Sequence, residues 1–447
     1  MATKFAATYD PYGRQTMFNA NSTRGRLVKL VAAVVVTIIT ISALRSVYTP
    51  SDNVYGLMID AGSTGSRIHT FTFQKHPKTS KLEVLTEDFH AIKPGLSAYK
   101  DNVANAAMSL EPLIQRAKAR VPMSAQAHTP VVLRATAGLR MVGEEVANSI
   151  LGEVRNYLKS SGFRFDDDSW ASILSGNEEG VYSWITVNYL LDRGPHNTVG
   201  TLEMGGGSSQ VAYVPRDRTL NSGSANCSTT EEGLDFKGEK LSLYTTSHLG
   251  FGLQKARALS LNMFKDKDLL SDNPCVNSGA PQDIAIPFEE DQTITVSGKG
   301  DYAACRRLLD ENLMDPSMGK CDCDVCTYHG SAQPPPIPEY VAIAFYLGRT
   351  VAIGMQTPLT VKDIRLKGEE VCSMTVEEVK AQYPEVPSGD ATDLCLDLAY
   401  IALHLEHGHG ITENSGASLM VMEKINDFEL GWCLGAMQQT MEKLALK

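Results

Sequence analysis

The stretch Val54-Tyr-Gly-Leu-Met-Ile-Asp60 is an apolar run ending in a carboxylate. It opens directly into Ala61-Gly-Ser-Thr-Gly-Ser-Arg67, and a second apolar run, Ile68–Phe73, follows at once. Short apolar runs bounded by Gly and Ser read as buried strands, so this segment predicts a hairpin with an acid at the end of its first strand. The arrangement returns roughly 140 residues on. Val199–Glu203 reads as a strand, Met204-Gly-Gly-Gly-Ser-Ser-Gln210 as a Gly/Ser turn and Val211–Val214 as the returning strand. A strand–loop–strand unit repeated at long period predicts a duplicated α/β lobe, with both turns aimed into one cleft between the lobes.

Around these hairpins the periodicity predicts helices over 102–120, 144–160, 181–191 and 253–264, and strands over 130–133 and 170–174. Further helices are expected over 339–355, 394–405 and 434–444, after a loop-rich stretch that runs to Pro338.

Consecutive backbone N–H groups in a Gly/Ser turn form a concave site for an anion, and hydroxyls add donors without charge. One such loop is usually only a tight turn. Two, each preceded by an acid at a matching position, point to phosphate. The candidate phosphate-binding residues are Ser63, Thr64, Gly65 and Ser66 in the first loop, and Gly205, Gly206, Gly207, Ser208 and Ser209 in the second. Asp60 and Glu203 are then candidate anchors for a divalent cation, Mg²⁺ or Ca²⁺. Hydrolysis also needs a base to activate water, and Glu178 and Glu179 sit at a strand-to-helix junction between the loops. The other reading of that pair is an acidic helix N-terminus favoured by the helix dipole, and both stay open on spacing alone.

Charge and cysteine usage give the chain its setting. The 447 residues carry a formal net charge of −11. Residues 1–50 hold Lys4, Arg14, Arg24, Arg26, Lys29 and Arg45 against Asp10, a charge of +5, which leaves −16 on the rest. So acidic a body excludes a nucleic-acid groove, and a phosphorylated ligand would have to arrive with a cation. Leu30–Leu44 is uncharged, and with Lys29 snorkelling the apolar segment reaches back to Leu27, long enough to span a bilayer. The basic N-terminal flank predicts a type II signal anchor rather than a cleaved signal peptide, with the remainder luminal or extracellular and ER or Golgi favoured. All nine cysteines lie beyond the anchor, as expected in an oxidising compartment. Disulfides are expected at Cys321-Asp-Cys-Asp-Val-Cys326 in preference to a metal cluster, and Cys433 is the candidate for a buried free thiol. Asn226-Cys227-Ser228 is the glycosylation sequon of this part.

Four motifs, Asp60–Arg67, Arg134-Ala-Thr-Ala-Gly-Leu-Arg140, Gly176-Asn-Glu-Glu-Gly180 with Trp184–Leu191, and Met204–Gln210, resemble in order the first four conserved regions of the ecto-nucleoside triphosphate diphosphohydrolases, the apyrase and nucleoside-diphosphatase family. Gly431-Trp-Cys-Leu-Gly435 resembles the fifth, so the likeness runs from about Val54 to Met437. It implies an actin-like fold of two ribonuclease-H-like lobes around a cleft. Lobe I would span 54–175, completed by a C-terminal helix over 427–447, and lobe II 176–426. These follow a cytosolic tail (1–26), the anchor (27–48) and a linker (49–53).

The resemblance also implies metal-dependent hydrolysis of the terminal phosphate of a nucleotide, without a covalent intermediate. Glu179 matches the catalytic base, Ser208 and Gln210 match residues that place the attacking water, Thr136 a phosphate-side hydroxyl, and Asp60 with Glu203 the acids around the metal. Glu203 departs from the family pattern, which has Asp there. Phe89–Tyr99 and Leu249–Arg257 are more similar to diphosphate-preferring and plant-type members, and Leu253 stands where cell-surface enzymes tend to carry Arg. The expected substrates are therefore GDP and UDP, with Tyr346 as the candidate nucleobase wall. A broad apyrase, an exopolyphosphatase-like hydrolase and a non-hydrolysing nucleotide-binding module are the alternatives.

Overall fold

Alternation along the first strand shows how the first lobe is layered. In β1 (Asn53–Ala61), Leu57 and Ile59 pack among the helices on one face of a sheet, whereas Met58 points to the other face against Phe71, Phe73 and Met437. The structure is a computed structural model, and it describes residues 53–76, 82–216, 231–279, 281–289, 292–314, 321, 323, 325–387 and 389–445. The expected anchor and the sequon lie outside these residues. Among the described residues no helix is long and apolar enough to cross a membrane.

Lobe I is built on β1, β2 (Ser66–Lys75), β3 (Leu82–Ile92), β4 (Val131–Ala135) and β5 (Ala171–Ile173), in the order β3-β2-β1-β4-β5. Strands β2 and β3 are antiparallel, and β1, β4 and β5 run parallel. Lobe II repeats the pattern. Its sheet uses β6 (Gly200–Met204), β7 (Ser208–Tyr213), β8 (Glu231–Phe236), β9 (Glu239–Leu249), β10 (Glu339–Ala344) and β11 (Ser418–Val421), in the order β11-β10-β6-β7-β9-β8. With β8 set aside as an added edge, β9-β7-β6-β10-β11 matches β3-β2-β1-β4-β5 strand for strand, and β10 and β11 again run parallel to β6. The duplication anticipated from two loops extends to a whole five-stranded topology in each lobe.

Three differences from the expected elements matter. Leu82–Ile92 is a strand that the periodicity did not reveal. Residues 102–120 form two helices, Val103–Ser109 and Glu111–Arg120, with Pro112 in the first turn of the second. The segment 339–355 is not one helix: β10 is a central strand, followed by a single helical turn, Phe345–Arg349. A strand buried on both faces shows continuous hydrophobicity and no period, so length alone favoured a helix there.

Helix α1 (Gly176–Leu190) links the lobes. Its Trp184 and Ile185 pack on Ala212, Phe236 and Leu243 of lobe II, while Leu190 joins Met58, Phe71 and helix α4 (Cys433–Ala445) of lobe I. The α1–α4 crossing is close at Gly435, where a Cβ would lie 2.4 Å from the Tyr182 carbonyl oxygen, and the Gly435 N–H donates to Thr186 Oγ1 at 2.9 Å. Disulfides Cys275–Cys305, Cys321–Cys326 and Cys372–Cys395 staple the described residues, Cys323 is disulfide-bonded as well, and Cys433 is free and buried. Cysteines 321–326 thus form a disulfide element, as the missing second ligand pair suggested.

Behind the second loop lies a buried ion cluster. Asp397, fully buried in α3 (Leu394–Leu403), accepts from Arg257 Nε at 2.8 Å on α2 (Leu253–Asp266) and from Arg349 Nε at 2.6 Å on the helical turn after β10. Removing one partner of such a cluster leaves charge buried without compensation. Asp397→Ala is expected to cost about 3–5 kcal/mol of unfolding free energy. Urea denaturation checks this, and a loss below about 1 kcal/mol would show the cluster to be dispensable.

Candidate active site

The two hairpin turns meet. Gly206 has no room for a side chain, since a Cβ there would lie 2.8 Å from Ser63 Oγ and 2.9 Å from Thr64 Cγ2. Carbonyls of the second loop are tied down from behind: Gly205 O accepts from Leu253 N at 3.0 Å, Gly206 O from Lys255 N at 2.9 Å and Gly207 O from Gly250 N at 2.8 Å. Each peptide N–H points opposite to its own carbonyl, so the amides of Gly206, Gly207 and Ser208 face away from α2. These residues line a cavity of about 290 Å³ that Asp60, Thr136, Glu179 and Glu203 also line. The loops therefore turn backbone amides and hydroxyls toward one cavity, the geometry of a concave anion-binding turn.

The two adjacent acids at the start of α1 part company. Glu178 closes a capping box with Ser175, whose Oγ donates to Glu178 Oε2 at 2.7 Å and accepts from Glu178 N at 3.2 Å. Glu179, one residue on, is buried and faces the cleft. Its Oε2 accepts from Arg140 Nη2 at 2.6 Å and from Gln210 Nε2 at 3.2 Å. Gln210 Nε2 also lies 2.8 Å from Ser208 Oγ and 3.0 Å from Ser247 Oγ. Glu179, Ser208 and Gln210 are thus one hydrogen-bonded group. Gly180 permits the approach, because a Cβ would lie 2.6 Å from Thr245 Oγ1.

Glu203 is the last residue but one of β6, opposite Gln210 in register, and its carboxylate accepts from Ser183 Oγ. Ser183 is one helical turn beyond Glu179, so a single face of α1 carries both contacts. Asp60 is the last residue but one of β1, with Oδ2 3.4 Å from Arg67 Nη1, while Oδ1 is buried without a partner. Burial, reinforced by the Glu203 carboxylate, pushes Glu179 up to about 8, and burial pushes Glu203 up to about 7 and raises Asp60. The cleft is short of positive charge.

A hard divalent cation fits that deficit. Among the described residues no group of three His, Cys, Asp or Glu side chains forms a closed cage. An orphaned Asp60 oxygen beside a second half-buried carboxylate, open to an anion cradle, suits an ion that keeps waters and takes phosphate oxygens as its remaining ligands.

Several expected residues lie elsewhere. Ser66 has already entered β2, fully buried, and Gly65 does not line the cavity, though its carbonyl accepts from Arg67 Nη1 at 3.0 Å. Ser209 points to the opposite face of the sheet from Ser208 and Gln210, so its hydroxyl is not a phosphate ligand. Tyr346 is fully buried, and its neighbours Phe345 and Leu347 line the cleft instead. Leu253 is likewise buried and faces the core. Ala344, at φ 62°, turns β10 sharply into this wall, a strained conformation of the kind that collects at functional sites.

Arg67, Arg140, Ser183 and Ser247 were missed as site residues. The two arginines close the first and second motifs, and their charge inside an acidic body was the available signal.

A family model described as GDA1/CD39 (nucleoside phosphatase) matches residues 46–447. The chain belongs to the GDA1/CD39 nucleoside phosphatase family. It is 34% identical over 417 residues to a guanosine-diphosphatase of Schizosaccharomyces pombe, covering 86% of this chain and 72% of that protein. It is 32% identical over 429 residues to a nucleoside diphosphate phosphatase of Homo sapiens, covering 91% and 92%. Among solved structures, a nucleoside triphosphate hydrolase of Neospora caninum superposes with a TM-score of 0.63 at 16% identity, covering 93% of this chain and 98% of that one, a likeness of fold. Membership in the GDA1/CD39 family makes this chain a nucleoside phosphohydrolase.

Carboxyls held above their unfolded values bind protons more tightly in the folded state. Their contribution favours folding at low pH and is lost as pH rises through the raised values. In chelator, the melting temperature is expected to fall between pH 7 and pH 8.5, spanning the shifts of Glu203 and Glu179. The stabilisation given by Mg²⁺ should grow over the same interval, because cation and protons compete. Scanning fluorimetry reads both, and a flat melting temperature with a pH-independent Mg²⁺ effect would contradict the charge deficit.

Proposed function

We propose that this GDA1/CD39 member hydrolyses the terminal phosphate of nucleoside diphosphates, GDP foremost and UDP second, with a divalent cation and without a covalent intermediate. The observation that carries the reading is the bonded group of Glu179, Ser208 and Gln210 beside two touching phosphate loops. The names of the relatives from fission yeast and human favour diphosphates.

Amides of the second loop, with Ser63 and Thr64 opposite, hold the terminal phosphate, and Thr136 adds a hydroxyl from lobe I. Ser208 Oγ and Gln210 place a water in line with the bond to be broken, and Glu179 takes its proton. Glu179 must be ionised to do so. Arg140, bonded to both Glu179 and Ser208 Oγ, opposes the upward push of burial on this carboxyl and fixes its direction. Asp60 and Glu203 would hold the cation, which when bound supplies neutralisation of phosphate charge. Phe345 and Leu347 offer the nucleoside an apolar wall. The disulfides support a luminal or extracellular setting, and we read residues 27–48 as the anchor that puts the catalytic part there.

Phosphate release from GDP, UDP, ADP and their triphosphates, measured with Mg²⁺ and with Ca²⁺, tests the reading. GDP and UDP should lead, and Glu179→Gln should lower kcat by about 10²–10⁴-fold with nucleotide still bound. Faster turnover of triphosphates would favour a broad apyrase, and release from polyphosphate alone would replace the proposal.

A further inference from the structure

Ser209 lies directly behind the second phosphate loop, and its hydroxyl is saturated from inside the lobe. Its Oγ donates to the Glu203 carbonyl at 3.0 Å, across the hairpin that carries the loop. His404 Nε2 lies 2.8 Å from the same oxygen and His409 Nε2 3.3 Å. With the serine proton on the Glu203 carbonyl, the tautomer that fits is the one in which His404 donates at Nε2. In that tautomer its Nδ1 is bare and accepts from the hydroxyl of Tyr328, 2.9 Å away, which also lies 3.4 Å from Met314 Sδ. All three residues are fully buried, and burial holds His404 well below its usual range, neutral and able to keep one tautomer.

The chain brings this group together from far apart. Ser209 is in β7, His248 is its cross-strand neighbour in β9, Tyr328 follows the disulfide element, and His404–Gly408 is a wide π-turn that ends α3. A π-turn inserted into a helix frequently marks a functional site. Here it aims His404 at Ser209, with His409 just beyond it reaching the same oxygen. Tyr328 is itself wedged by stacking on Phe251 with ring centroids 3.8 Å apart, immediately before the segment that ties down the loop carbonyls.

We propose that His404 is a positioning residue for phosphate hydrolysis: Tyr328 sets its tautomer, and its Nε2–H fixes Ser209, which locks the end of β6 to the start of β7 and so sets the reach of Glu203 and the amides of the second loop. This rests on the proposed hydrolytic reading of the site. Glu203, Ser208 and Gln210 stand on one face of this hairpin and the relay on the other. A shift of the hairpin by about 1 Å therefore moves the acid and the cradle together, a displacement that can cost 10²-fold in rate.

The test uses the full chain and has two arms. With histidines labelled in ¹⁵N, a long-range ¹H–¹⁵N spectrum should show His404 protonated at Nε2 and bare at Nδ1 from about pH 6 to pH 8, with Ser209→Ala shifting that resonance and Tyr328→Phe releasing the tautomer. A proton on Nδ1, or an imidazolium, overturns the relay. This arm needs no nucleotide, so it decides the relay even if GDP is not a substrate. In the kinetic arm, His404→Leu should lower kcat for GDP about tenfold or more with KM little changed, and His404→Gln should restore most of it because an amide N–H can reach Ser209. A folded His404→Leu protein with undiminished kcat overturns the positioning role. Should that variant not fold, the nearly isosteric Tyr328→Phe serves, with a severalfold loss of kcat at constant KM expected and unchanged kcat contradicting the proposal.

Discussion

Asp60, Glu179 and Glu203 stand together in one small cavity that Glu423 and Glu429 also line, with Arg67 and Arg140 as the arginines bonded to them. That imbalance is the constraint on which the site depends. Burial and mutual repulsion raise the pKa of these acids, so the cleft favours a cation, and in the proposed reading a nucleotide phosphate is accepted in the company of one. In the proposed reading, the amide loops complete the logic by binding phosphate without adding a full charge. The net charge of −11, which first argues against phosphate ligands, thus becomes the reason the ligand must bring a divalent ion.

The architecture supplies that cavity by duplication. Each lobe offers the same strand–loop–strand unit at the centre of the same strand order, and α1 and α4 hold the two in contact. Within lobe II, the period-two alternation of β7 divides labour. Ser208 and Gln210 face Glu179, whereas Ser209 faces Tyr328, His404 and His409, and a residue's function there follows from which face it occupies.

What could be read from sequence was what is encoded locally. Asp60–Arg67 and Met204–Gln210 carry their strands, turns and acids within a few residues, so both hairpins and most of the site were legible. Glu339–Ala344 was not, because a strand buried on both faces has no period to betray it, and Tyr346 was misassigned with it. Ser66 and Ser209 were counted as ligands because composition marks a loop as hydroxyl-rich without saying which hydroxyls point inward; strict alternation from Ser208 would have excluded Ser209. The choice between Glu178 and Glu179 needed the helix start, which lies at Gly176, five residues earlier than the apolar pattern shows. The Tyr328–His404–Ser209 group was beyond reach, since its members meet only through the fold.

The central claim is that a water held by Glu179, Ser208 and Gln210 attacks the terminal phosphorus directly. A single turnover of GDP with Mg²⁺ in ¹⁸O-enriched water tests it. The account predicts one ¹⁸O in the released inorganic phosphate, none in GMP and no phosphorylated protein. Label in GMP, or a trapped phosphoprotein, would contradict it.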